Sequence, residues 1–354
     1  MSLTYLLDHS SDLRKMIPNL KSQLTDSNGK TLEKYDWKAE ILVPSIGKSY
    51  EAGTIGTSFD YVARCILTKI VGTKNVTSRS IVAENGARSL QNALQDQDQA
   101  LMYEKDESIR KERAEGYKLA QEYEDELMQY IETNLDLAKE AMCEFSVGKL
   151  SLEKLVPYTI FLARLDAVFR AGSVVVVDTF LKSKFGKSYF SQKLTITDDQ
   201  IADNVVQLAK IFEKYFKGIP MSHVSLNPVF LPYSCLVGGA DADFIYDSTL
   251  IDIKAVTKFS YKGIDWAQVL GYAAMALAID IEIKEAGIYF ARYGKSAILK
   301  ISPEMRGFLF KYLDSILETA LELNLWNCPN IKKPFKIGKD FLDKLRKEKC
   351  TRCL

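Results

Sequence analysis

The side chains best suited to chemistry in this chain lie between Asp241 and Lys254. They are Asp241, Asp243, Asp252 and Lys254, set in two apolar, alternating runs on either side of Asp247-Ser248. That spacing predicts a β-hairpin with a two-residue polar loop. With the loop there, Asp243 lies opposite Asp252 and Asp241 opposite Lys254, while Phe244, Ile251 and Ile253 point to the other face. One face then carries the chemistry and the other packs. Three carboxylates on one sheet face repel one another and raise their own pKa values. A divalent cation removes the repulsion, and Mg²⁺ takes one or two carboxylates, keeps several waters and leaves room for phosphate oxygens. A lysine two residues beyond the second carboxylate is placed to orient or deprotonate an attacking water. The competing reading of the same residues is a charged hairpin that faces solvent.

The order of the pieces carries a family resemblance. Gly238-Gly239-Ala240-Asp241, then Asp252-Ile253-Lys254 on the next strand, then Gln268-Val269-Leu270-Gly271-Tyr272 on a following helix resembles the PD-(D/E)XK nuclease superfamily in its RecB-type, restriction-endonuclease-like branch. The proline common before the acidic residue in that branch is missing before Asp241. The resemblance implies a metal-dependent deoxyribonuclease that hydrolyses DNA phosphodiester bonds. It places Asp241, Asp252, Lys254, Gln268 and Tyr272 in catalysis, with Mg²⁺ or Mn²⁺ on Asp241, Asp252 and the Ile253 backbone carbonyl and with Asp243 in reserve. Gln268 and Tyr272 are four apart and share a helix face, which by resemblance positions the DNA or the lysine. The branch also opens its first core helix on Gly-Thr-x-x-His, whose histidine helps to bind metal. Here Gly56-Thr57-Ser58-Phe59-Asp60 puts Asp60 at that position, either as an oxygen ligand or as an exposed helix residue. The alternative from another functional class is a catalytically inactive nucleic-acid-binding module on the same fold. The intact Asp241, Asp252 and Lys254 favour the enzyme.

The elements that must position these residues follow from periodicity. Val224–Leu231 reads as a strand before the hairpin, Trp266–Ile279 as a helix, and Ala286–Ala291 with Ala297–Ile301 as further strands. This succession predicts an α/β fold, a restriction-endonuclease-like mixed sheet flanked by helices. Upstream, Gly53 to Tyr61 reads as a glycine-rich entry to a helix through Val71, without the Gly-Lys-Ser/Thr of a phosphate-binding loop. Residues 86–222 read as a large helical insertion, with a charged run from Glu104 to Glu126, a more apolar helix over Leu152–Gly172 and an amphipathic helix over Asp199–Phe216. Arg164, Asp166 and Arg170 on the middle helix are expected to pair internally. Val174–Val177 is β-branched and reads equally as strand or continuing helix. The expected divisions are an N-terminal segment with the first core helix (1–85), the insertion (86–222), the nuclease core (223–302) and two C-terminal helices (303–354), Pro303–Leu325 and Gly338–Lys349.

Composition restricts the setting. A 47% hydrophobic content in 354 residues can bury a sizeable core. The apolar run Val269–Ile279 is too short to span a bilayer, and no basic-plus-apolar leader opens the chain, so a cytoplasmic protein with no membrane partner is the default. The net charge of +1 does not mark a nucleic-acid binder, but Lys254 to Lys300 holds seven Lys/Arg against four Asp/Glu, a local net of +3. Lys258, Lys262 and Arg292 are the candidate contacts to a DNA backbone. The six cysteines form no secreted disulfide pattern. Cys328, Cys350 and Cys353 are similar in outline to the iron–sulfur cysteines of some RecB-type nucleases, but they are one short of a four-cysteine set. Reduced tail cysteines, without an iron–sulfur cluster, are expected.

Overall fold

A computed structural model describes residues 2–33, 36–47, 49–78, 81–96, 101, 106–171, 180 and 197–325. In chain order its elements are α1 (Leu3–His9), α2 (Ser11–Met16), β1 (Leu24–Thr25), α3 (Ser49–Val71), β2 (Val76–Ser78), α4 (Val82–Gln95), α5 (Glu107–Gln121), α6 (Glu124–Ser146), α7 (Leu152–Ala171), α8 (Asp198–Phe216), β3 (Val224–Leu226), α9 (Tyr233–Leu236), β4 (Phe244–Tyr246), β5 (Thr249–Lys254), α10 (Gly263–Ala278), β6 (Glu285–Phe290), β7 (Lys295–Lys300) and α11 (Pro303–Glu322). The chain divides into two compact units. Met1–Leu42, Asn75–Arg79 and Ile219–Leu354 form the first, and Val43–Lys74 with Ser80–Gly218 form the second. Val174–Val177, Gly338–Lys349 and the cysteines at 328, 350 and 353 lie outside the described residues.

The first unit is α/β, with a seven-stranded mixed sheet in the order β1-β7-β6-β5-β4-β3-β2. β3, β4 and β5 run as an antiparallel meander, and α10 then crosses over so that β6 returns parallel to β5. The short edge strands β1 and β2, two and three residues long, carry too little pattern to be read from sequence. β3 stops at Leu226, where Asn227 takes a positive φ of 49°, so the strand expected as far as Leu231 is cut short. α10 is apolar nearly all round: Trp266, Ala267, Val269, Leu270, Ala273, Ala274, Met275 and Ala276 are buried. Such a helix belongs inside a core, and it packs between the sheet and α1, α2 and α11. Gly271 permits this, since a Cβ there would lie 3.0 Å from Leu3 Cδ2.

The second unit is helical among the described residues. α4 crosses α7 so closely that a Cβ on Gly86 would fall 2.0 Å from the Leu165 carbonyl oxygen, and Tyr61, Leu90, Leu127, Ile131 and Leu162 fill its core. α3 packs on α7 and α8. It starts at Ser49, so Gly53 and Gly56 lie inside the helix, and the glycine-rich helix entry expected from sequence does not form. Packing overrides the low helix propensity of glycine here. Thr197 and Gln200 make a reciprocal capping box at the start of α8. Within α7 Arg170 pairs with Asp166, as expected, and Asp166 also accepts from the Tyr61 hydroxyl at 3.3 Å, while Arg164 pairs with Asp198 at the start of α8. Among the described residues no helix is long and apolar enough to cross a membrane.

Candidate functional site

The site grows from the way one strand leaves another. The β4–β5 hairpin turns at Asp247-Ser248 with Asp247 at φ +47°, a conformation Asp tolerates better than most residues. The Asp247 carboxylate pins the turn by accepting from the His223 amide at 3.0 Å and the Ser222 amide at 3.2 Å. The ladder then runs only as far as Phe244 opposite Ile251. Beyond it, residues 241–243 stay with the continuation of β3. The Asp243 carbonyl accepts from Asn227 at 2.9 Å, the Ala242 amide donates to Pro228 at 3.3 Å, and Asp241 bridges Val229. The turn that delivers this segment needs Gly238 and Gly239, whose φ values of 78° and 127° are strained for any side chain. In the gap so opened, the Asp243 carboxylate accepts the Ile253 N–H that a continuing strand would have taken. A residue's N–H and C=O point to the same side of a strand, so the Ile253 carbonyl is directed to the gap as well.

The β4–β5 ladder ends before an Asp243–Asp252 pair forms, and Asp243 meets β5 through its carboxylate at the Ile253 amide; Asp241 does not lie opposite Lys254. It is displaced onto the β3 side, because its backbone partner is Val229. The expectation that one face carries chemistry while the other packs is also corrected. Leu250, Asp252 and Lys254 share the face on which Ile245, Leu250 and Ile288 pack under α10, so the polar groups occupy one end of a packed face. Asp252 is only 4% exposed and the β4 residues are buried, so this is no solvent-facing hairpin.

Around Lys254 the polar groups form a connected chain. Lys254 Nζ lies 2.9 Å from Asp252 Oδ2, without the alignment of a hydrogen bond, and donates to Gln268 Oε1 at 2.8 Å. Gln268 Nε2 donates in turn to the Tyr272 hydroxyl at 2.7 Å and to Thr4 Oγ1 at 3.1 Å. α10 supplies Gln268 and Tyr272 from one face because they are four apart, and α1 supplies Thr4. With its amide committed on both sides, Gln268 holds the ammonium in one place.

The electrostatics show an excess of negative charge. Burial pushes the Asp252 carboxyl above its ordinary range; the Lys254 ammonium opposes that shift and Asp265 adds to it. Burial acts to lower the Lys254 pKa, but Asp252, then Asp243 and Asp265, outweigh it and hold the ammonium above its ordinary value. The two directions agree physically, since Lys254 feels three carboxylates while Asp252 has one cation and a like charge beside it. Burial, with Asp252, Asp241 and Asp243, keeps the Tyr272 phenol well above its ordinary value against the pull of Gln268. Among the described interactions, the carboxylates of Asp241, Asp243, Asp252 and Asp265 and the ammonium of Lys254 act on this group of residues. Among the described residues no three His, Cys, Asp or Glu side chains make a metal cage by themselves. The donors on offer are two or so carboxylates and a backbone carbonyl, the sparse set that suits Mg²⁺ with its retained waters.

Other expected residues fall elsewhere. Lys258 and Lys262 are exposed on the segment joining β5 to α10. Arg292 cannot serve as an exposed strand-end contact. It sits in the turn Ala291–Tyr293, is 1% exposed, donates from Nε to the Ala255 carbonyl at 3.0 Å, and has its pKa lowered by burial. Asp60 belongs to the second unit and pairs with Arg64 one turn along α3. Two residues escaped the sequence reading. Thr4 left no signal, because a threonine 264 positions away from Gln268 has no local pattern. Asp265, whose Oδ2 is buried without a hydrogen-bond partner among the described residues, reads from sequence as an ordinary acidic residue in a helix's first turn. Comparisons with protein-family models, curated proteins and solved structures give no match to this chain.

Proposed function

We propose that this chain is a metal-dependent deoxyribonuclease of the PD-(D/E)XK type, hydrolysing DNA phosphodiester bonds on a restriction-endonuclease-like core. The observation that carries the reading is the Asp252–Lys254–Gln268 constellation, at the point where β4 leaves β5 and Asp243 grips the Ile253 amide. The β3-β4-β5 meander, the α10 crossover and parallel β6 supply the strand–strand–strand–helix–strand order that such a core requires.

In this reading Asp252, the Ile253 carbonyl and Asp241 or Asp243 hold Mg²⁺ or Mn²⁺. The cation, when bound, polarises the scissile phosphate and lowers the pKa of a coordinated water. The chain's own groups do the positioning. Lys254 remains an ammonium, held by Gln268, and orients the attacking oxygen or offsets charge on a phosphate oxygen. Tyr272 stays a neutral phenol bracing Gln268. Lys258 and Lys262 meet the DNA backbone.

The test is incubation of purified protein with linear and circular DNA in Mg²⁺ or Mn²⁺, with EDTA and with Asp252→Asn as controls. Cation-dependent cleavage that the variant loses is the expected outcome. Protein that shifts DNA in a gel yet leaves it uncut with every divalent cation is the inactive binding module instead.

A further inference from the structure

The first unit also contains a cavity of about 570 Å³ walled by Leu32, Trp37, Phe259 and Tyr261, with Lys21, Ser22 and Ser260 as its polar groups among the described residues. A cavity of a few hundred Å³ with apolar walls and few polar groups is the usual form of a small-ligand site. Its rings are held in place from behind. Phe259 is 5% exposed and packs edge-on to Phe290 at 4.7 Å, Trp37 meets Phe259 at 5.0 Å with 30° between planes, and the Tyr261 hydroxyl donates to the Pro18 carbonyl at 3.3 Å. Trp37 and Tyr261 are half-buried. Lys21 lines the cavity with its Nζ 5.4 Å from the Tyr261 ring centre, Lys258 and Lys262 flank Phe259 to Tyr261 in sequence, and all three lysines are exposed. Among the described residues no acidic side chain lines the cavity. Flat aromatic walls with ammonium groups at the rim match a planar ring joined to a phosphate, whereas an aliphatic ligand would use neither the stacking geometry nor the charge.

The cavity is also tied to the chemistry by the chain. Phe259 follows Lys254 by five residues, so the two cannot stand more than about 18 Å apart, and a strand cut at Lys254 would reach the cavity within a few nucleotides.

We infer that the Trp37–Phe259–Tyr261 cavity receives an unpaired nucleobase of the DNA strand, its phosphates held by Lys21, Lys258 and Lys262. This deepens the nuclease reading and rests on it for the identity of the strand, and it specifies a substrate with unstacked bases rather than intact duplex. Stacking in a B-form helix keeps bases out of such a cavity.

The test uses wild-type protein in EDTA and a fluorescent 12-mer single-stranded oligodeoxynucleotide, its blunt duplex, and a series carrying one abasic residue at successive positions. The expected result is tighter binding of the single strand, with the loss of affinity from an abasic residue concentrated at one or two positions. Trp37→Ala and Tyr261→Ala should each weaken single-strand binding about 5- to 150-fold, the range for losing one base–aromatic stack, and Trp37→Phe should restore most of it. Equal affinity for single strand and duplex, together with abasic residues tolerated at every position, overturns the inference without involving any variant's folding. The same oligonucleotide supplied with Mg²⁺ separates the two claims. Cutting with a flat abasic profile removes the pocket and leaves the nuclease, while a sharp abasic profile without cutting keeps the pocket and removes the nuclease.

Discussion

Replacing Lys254 by methionine removes the ammonium while keeping a side chain of similar length, and it exposes how the site is balanced. Asp252 is 4% exposed and Lys254 is its ion-pair partner at 2.9 Å. Breaking a buried pair from one side costs about 3–5 kcal/mol, because the remaining charge is left uncompensated. For a unit of this size that corresponds to a melting temperature lower by roughly 6–20 °C. The pH dependence fixes the cause. The Asp252 carboxyl is already held above its ordinary range, so its ionisation opposes folding, and without Lys254 its folded pKa rises further. The penalty of Lys254→Met should therefore shrink as the pH falls and Asp252 takes up a proton. Lys254 has a raised folded pKa, so its contribution is present below the unfolded lysine value and is lost as the pH rises through the folded one. The penalty should thus occupy a window between the carboxylate and lysine titrations. The assay is thermal unfolding followed by circular dichroism from acid to alkaline pH in EDTA, repeated with Mn²⁺, which should recover part of the loss by replacing the missing positive charge. A variant whose melting curve coincides with wild type at neutral pH in EDTA, with the same pH slope, would refute the electrostatic account. In cleavage, the same variant should lose about 10²–10⁴-fold in rate.

Three further outcomes follow from named contacts. Gln268→Ala frees Lys254 Nζ from its 2.8 Å partner and should slow cleavage about 10–100-fold with Mn²⁺ affinity by calorimetry unchanged; a loss of Mn²⁺ binding would make Gln268 part of the cation site. Gly287→Ala places a Cβ 2.8 Å from the Ala297 carbonyl oxygen, which the paired strand cannot easily vacate, and should cost about 1–3 kcal/mol of stability by denaturant unfolding; an unchanged midpoint would show that β6 and β7 yield without cost. Asp60→Ala should leave Mn²⁺ affinity untouched, because Arg64 engages that carboxylate, and a tenfold weaker titration would place Asp60 among the ligands.

The hairpin was legible in the sequence because its information is local. Alternation on either side of Asp247-Ser248 sets the register, and the ladder pairs Tyr246 with Thr249 and Phe244 with Ile251 as that alternation requires. The pairing of Gln268 with Tyr272 was legible for the same reason, through the helical repeat. The helices expected over Asp199–Phe216 and Pro303–Leu325 form over Asp198–Phe216 and Pro303–Glu322, where the structure adds Thr197 and Ser302 as their N-terminal caps. Arg292 misled because alternation continues through Phe290 while the backbone turns at Ala291, and a turn that buries an arginine against the Ala255 carbonyl is a tertiary event. Glycines 53 and 56 misled because a helix packed on two neighbours tolerates what an isolated helix would not.

By itself, then, the sequence determined that Asp252 and Lys254 share one face of a hairpin strand, and that Gln268 and Tyr272 share a helix face, since periods of 2.0 and 3.6 act over a few residues. Only the tertiary structure decided the rest. Asp241 stays with β3 while Asp243 turns to the Ile253 amide, Thr4 arrives from the other end of the chain to hold Gln268, and Asp265 adds its charge from the first turn of α10. These depend on where a strand departs from its neighbour and on which helices cover the gap. Those choices are made by the burial of most of the α10 surface and by hydrogen bonds between residues distant in sequence, and no local repeat encodes them.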